Sequence, residues 1–268
     1  MGIHFTRQGS GEPLILVHGL GGTSLVWGPV LERLARERDV INLDLPGFGR
    51  SPALSDGVRP TAANLGLEIV GLFRELGVER PHLAGNSLGA WVSLEIAAAG
   101  KAASVCAISP AGMWRDPIGP RRFGRQRIGR RLRPLLRLVL ATARGRRAIL
   151  ASTVAHPERV PAKTARALVF DYLRSPGYEA ANAEMRAGAF CGRDRVTVPV
   201  TIAWGTEDRR VGRPSRSRRP AQTRYLEMPG WGHTPTWDDP AGVAGLLLEA
   251  SASQRLGSGA VAQAKDSG

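Results

Sequence analysis

A short apolar run that ends in Gly-x-Ser-x-Gly and passes directly into a helical pattern leaves a chain few ways to fold. Leu83-Ala84-Gly85-Asn86-Ser87-Leu88-Gly89-Ala90-Trp91 is such a stretch, and Val92, Leu94, Glu95, Ile96 and Ala97 continue it with helical spacing. A serine hydroxyl is a poor nucleophile unless a base takes its proton and its oxygen stands clear of its neighbours. A sharp strand-to-helix turn exposes the oxygen but crowds the backbone, so the positions two before and two after must be small. Gly85 and Gly89 meet that demand, and Asn86 completes the elbow. Ser87 is therefore the candidate nucleophile.

The rest of the chain alternates strand and helix. Residues 3–8 read as an opening strand, the continuous apolar run at 13–17 reads as a strand buried on both faces, and 39–45, 103–108 and 198–204 read as further strands. A last strand is expected at 224–228. Helices are expected from Thr23 or Ser24 towards Arg36, from Thr61 to a stop at Gly77, after Ser87, and from Asp239-Pro240 onwards. This alternation predicts an α/β fold, a mostly parallel doubly wound sheet with helices on both faces. Between 113 and 190 the strands disappear and only helical patterns remain. The expected organisation is a core of residues 1–112 and 191–250, a helical lid insertion at 113–190 over the C-terminal edge of the sheet, and a flexible tail at 251–268.

Composition narrows the class further. No apolar run reaches ~18 residues, so no membrane span is expected. The N-terminus has no basic region followed by an apolar one, so no signal peptide is expected and the cytoplasm is the default compartment. Cys106 and Cys191 lie far apart without metal-ligand spacing and read as small buried hydrophobes. The formal charge of +14 is almost entirely arginine, since only Lys101, Lys163 and Lys265 are lysines. No helix-turn-helix or zinc pattern is present to read DNA, so no specific nucleic-acid partner is expected.

Ser87 needs a base. Among five histidines, His233 sits in Pro229-Gly230-Trp231-Gly232-His233, just past the last strand, where glycines allow an imidazole to swing over the sheet edge. His18 directly follows a strand and reads as a brace for the turn Gly19-Leu20-Gly21-Gly22. An acid must hold the imidazole in its productive tautomer. Asp208, after the strand at 198–204, is the choice, with Glu207 its immediate rival and Asp116 a more distant substitute. Two backbone N–H groups must face the developing oxyanion. One is Leu88, next to the nucleophile; the other is Leu20, with Gly21 as the alternative.

Four motifs in order carry a resemblance: His18-Gly19-x-Gly21-Gly22, Asp44-x-Pro46-Gly47-x-Gly49-x-Ser51, Gly85-x-Ser87-x-Gly89, and Gly232-His233 with Asp238-Asp239-Pro240 behind it. The chain resembles the α/β-hydrolase fold superfamily, in its branch of small lidded serine hydrolases. The resemblance implies that residues 44–51 shape the pocket wall. A serine nucleophile argues against the epoxide-hydrolase and haloalkane-dehalogenase branches, which use aspartate there. The interval from Asp208 to His233 is short for the family, and 213–220 is a poor helix where one normally sits. An irregular acid loop is expected.

The expected activity is cleavage of a small-molecule carboxylic ester through an acyl-enzyme, with no metal or organic cofactor. Gly85-Asn86-Ser87 also resembles the elbow of C–C bond hydrolases acting on vinylogous diketones, and the same triad serves acyl transfer and perhydrolysis. A ligand-binding module that has lost turnover is the non-enzymatic alternative. The oligomeric state is not legible. From Arg115 to Arg147 there are twelve arginines against one acid, Asp116. A helix here is expected to turn its leucines to the core and its guanidinium groups to water. Attraction of anionic substrates and weak contact with an anionic surface are the functional alternatives.

Overall fold

A computed structural model describes residues 2–119 and 125–252 of the chain. Among the described residues, seven strands form one sheet in the order β1-β3-β2-β4-β5-β6-β7. They are β1 (Phe5–Gln8), β2 (Glu12–Val17), β3 (Arg38–Leu43), β4 (His82–Asn86), β5 (Ser104–Ile108), β6 (Val200–Gly205) and β7 (Thr223–Met228). Only β1 runs antiparallel, pairing with β3; all other neighbours are parallel. The sheet is thus mostly parallel, as the alternation of strands and helices predicts.

Side-chain alternation in β2 explains why its whole run is apolar. Ile15 and Val17 enter one core with Leu65, Ile69 and Val92, while Leu14 and Leu16 enter the opposite core with Val30, Leu34 and Leu247. Helices α1 (Gly28–Ala35) and α9 (Pro240–Ala252) cover the second face, and α2 (Ala62–Glu75) and α3 (Leu88–Ala98) cover the first. The start of α2 is fixed by Thr61, whose hydroxyl accepts the Asn64 N–H at 3.1 Å. Its end is fixed by Gly77 at φ 64°, where Val78 N–H returns to Phe73 O. Helix α9 runs two residues into the stretch expected to be a tail, and Arg38 Nε donates to Ser251 Oγ there. The remainder of that stretch, 253–268, lies outside the described residues.

Between β5 and β6 the described residues contain helices and no strand: α4 (Arg125–Arg131), α5 (Arg133–Val139), α6 (Ala143–Leu150), α7 (Ala162–Arg174) and α8 (Tyr178–Ala187). They enclose a small core of their own around Leu140, Leu150, Val160, Val169 and Leu173. The excursion rests on the loops at the C-terminal ends of β2, β3 and β7. Gly177 N–H donates to Gly47 O, Thr23 Oγ1 to Asp171 Oδ2, and Thr234 N–H to Thr153 O.

Two expectations need correction. The leucines of α5 do not all turn inward: Leu136 and Leu140 pack, whereas Leu132, Leu135 and Leu138 are exposed. The inward side of α4–α5 is the one that meets α7, where Gln126 Nε2 donates to Tyr172 O and Leu173 packs so close to Gly129 that a Cβ there would stand 2.5 Å from Leu173 Cδ2. Cys191 is exposed rather than buried, because it lies on the connection leading back to β6, beside Arg218; Cys106, within β5, is buried.

Candidate active site

Ser87 links β4 to α3 with φ 56° and ψ −116°, a conformation that L-residues rarely adopt. Such a residue costs on the order of 1–3 kcal/mol and persists only where its surroundings over-determine it. Here they do. Ser87 N–H donates to Ile108 O, and Ser87 O accepts from both Trp91 N–H and Ala111 N–H. The flanking glycines are steric necessities: a Cβ on Gly85 would strike the backbone of Gly89, and one on Gly89 would strike the carbonyls of Val17 and His18. The elbow is locked from every side.

The turn after β2 lies directly against the serine. A Cβ on Gly19 would stand 3.0 Å from Ser87 Cβ and 3.2 Å from Asn86 O. His18 holds this turn in shape: its Nε2 accepts Leu45 N–H at 2.9 Å, so Nδ1 carries the proton and donates to Gly19 O at 2.8 Å. Burial pushes its pKa down, which keeps the ring neutral. Gly19 O also accepts Gly22 N–H. Among the described residues, neither Leu20 N–H nor Leu88 N–H donates to a backbone carbonyl. Leu88 is the first residue of α3, where helix N–H groups have no intrahelical acceptor.

His233 follows β7 and is buried. Its Nδ1 lies 2.8 Å from Asp208 Oδ2, and the Asp208 side chain is sealed from solvent. Burial alone would raise the Asp208 carboxyl. The hydrogen bond and charge of His233, with the N–H groups of Arg210 and Val211 on Oδ1, outweigh burial and hold the carboxyl below its ordinary value. An ionised carboxylate only accepts, so Nδ1 carries the proton and Nε2 is left as the basic nitrogen. Glu207 and Asp116 are both exposed, and Glu207 pairs loosely with Arg209. The segment after Asp208 has only a single 3₁₀ turn, Arg216–Arg218, where a helix was expected to be poor.

Three further residues build the site. Asn86 Nδ2 donates to His233 O at 2.7 Å and to Ile108 O at 3.2 Å, and Asn86 Oδ1 accepts the Thr234 hydroxyl. The Asp238 carboxylate accepts three backbone N–H groups, from Gly232, Ala155 and His156. It therefore fixes the histidine loop to the helical excursion. Asp44 Oδ1 accepts Ser24 N–H and Oδ2 accepts Arg50 N–H, so Asp44 closes the 44–51 loop and ties it to the segment after β2. The Asp238-Asp239-Pro240 motif was visible in the sequence, but nothing in its spacing identified the three donors.

Two tyrosines of the helical excursion pack on the turn after β2. A Cβ on Gly21 would lie 2.7 Å from Tyr172 and 3.1 Å from Tyr178, whose rings meet edge to face at 4.9 Å. A separate hollow of about 210 Å³, lined by residues including Arg59, Trp91 and Glu184, contains none of Ser87, Asp208 and His233.

The model of the alpha/beta hydrolase family matches residues 14–246, from β2 into α9. The chain belongs to the alpha/beta hydrolase family. Among curated proteins it is similar to (E)-2-((N-methylformamido)methylene)succinate hydrolase of Acinetobacter baylyi, 35% identical over 91 residues. That match covers 34% of this chain and 34% of the relative, so the chain spans about a third of that relative's length. Among solved structures it is similar to a thermophilic esterase from Thermogutta terrifontis (TM-score 0.67, 22% identity, covering 92% of each chain). It is also similar to the epoxide hydrolase CorEH (TM-score 0.74, 19% identity, covering 94% of this chain and 95% of that one). At these identities the structural likeness speaks for the fold alone.

Proposed function

We propose that this protein is a serine hydrolase that cleaves a small-molecule carboxylic ester. The observation that carries the reading is the 2.8 Å contact between His233 Nδ1 and a buried, ionised Asp208, on a loop tied through Asn86 to the strained residue Ser87. His233 Nε2 takes the Ser87 proton as Oγ attacks the ester carbonyl, and the N–H groups of Leu88 and Leu20 hold the oxyanion. The intermediate collapses, the C–O bond breaks, and His233 returns the proton to the leaving alcohol. Water, deprotonated by the same nitrogen, then attacks the acyl-enzyme and releases the acid. The chemistry calls on no metal or organic cofactor. Residues 113–190 act as a lid, with Tyr172 and Tyr178 bounding the acyl pocket.

The test is hydrolysis of p-nitrophenyl esters from acetate to palmitate by wild type and Ser87→Ala. Activity that disappears in a folded Ser87→Ala variant supports the reading. Activity that survives undiminished removes it.

A further inference from the structure

The helical excursion presents a surface that the site beneath it does not use. Helices α4 and α5 are nearly continuous through Leu132, whose N–H reaches Ile128 O at 3.1 Å and whose O accepts Leu136 N–H at 2.9 Å. One side of this rod is anchored to α7 by Gln126 Nε2 on Tyr172 O and Arg130 Nε on Leu173 O. The other side carries Ile128, Leu132, Leu135 and Leu138 at intervals of about one helical turn. Their exposures are 61%, 45%, 55% and 71%. Four large aliphatic side chains along one exposed stripe form a patch of the kind that marks an interaction site.

The surrounding charge identifies the occupant. From residue 117 to 157 the sequence contains no Asp or Glu. Arg131 of α4, Arg137 of α5 and Arg144 of the neighbouring α6 are exposed and form no ion pair among the described residues. A second copy of the chain would bring like charges together across the patch. An anionic lipid surface satisfies both halves of the pattern, with aliphatic side chains entering the acyl boundary and guanidinium groups meeting headgroup phosphates. We infer that the α4–α5 face docks this protein onto anionic membranes. The association is peripheral: among the described residues no helix is long and apolar enough to cross a bilayer.

The test is flotation of the full chain with phosphatidylcholine vesicles prepared with and without phosphatidylglycerol. Wild type floats with the anionic vesicles only. The double variants Leu135→Ser/Leu138→Ser and Arg131→Glu/Arg137→Glu each lose at least about tenfold in binding, with unchanged circular dichroism. Wild type that stays at the bottom of the gradient overturns the inference, as does undiminished flotation of the leucine variant. A wild-type dimer that the leucine variant dissociates also overturns it, because the patch is then covered by a second copy. None of these readouts depends on turnover, so the inference and the serine-hydrolase reading fail separately.

Discussion

Asn86 holds His233 from beneath. Its side-chain amide donates to the His233 carbonyl at 2.7 Å and accepts the hydroxyl of Thr234, so the residue before Ser87 fixes the loop that carries His233. Asn86 and His233 are 147 positions apart, yet one buried amide sets their relative position. Asn86→Ala removes all these contacts and leaves buried polar partners unpaired. We expect a loss on the order of 1–3 kcal/mol in urea unfolding. Esterase kcat should fall on the order of 10²-fold, as expected for a displaced catalytic group. A variant with normal kcat would show that the loop does not need this tie.

Asp208 gives two readouts. Asparagine at this position cannot hold His233 in the same tautomer, and kcat should drop on the order of 10⁴-fold in the folded variant. Stability follows the carboxylate. The folded pKa lies below the ordinary carboxylate value of about 3.9, so the stabilisation is present above that value and is lost as pH falls through the folded pKa. The gap in urea midpoint between wild type and Asp208→Asn should therefore narrow below about pH 4. A gap that stays constant into acid would contradict an ionised Asp208.

The two thiols should separate cleanly. Cys106 is buried within β5 and its thiol is pushed up to about 12, first of all by desolvation; Cys191 is exposed. A thiolate-specific reagent such as dithionitrobenzoate should modify one cysteine in the native protein and two after denaturation. Peptide mapping should place the native label on Cys191. Rapid labelling of Cys106 under native conditions would mean that β5 opens.

Much of this was legible because the signals were local. Leu14 to Val17 and Val105 to Ile108 are continuous apolar runs because their strands have a core on each side, and a run of that kind is visible without any partner. The elbow was equally local, since the demand for glycine at 85 and 89 arises within a few residues and the turn they touch. What escaped depended on distant partners. Asp238 shows its importance only when Gly232, Ala155 and His156 are brought to it. The leucines of α5 were placed wrongly because a basic amphipathic pattern has two plausible inner faces. The buried face is the one that meets Leu173, far along the chain, which packs against Gly129. Cys191 reads as buried from residue type alone, and only its position on a surface connection corrects that.

The proposed function requires Ser87 to be a nucleophile activated by His233. Reaction with a fluorophosphonate, read by intact mass and peptide mapping, tests it without any assumption about the substrate. One adduct per chain is expected, on Ser87, formed far more slowly in His233→Ala and absent from Ser87→Ala. No adduct on wild type, or one formed equally fast without His233, would contradict it.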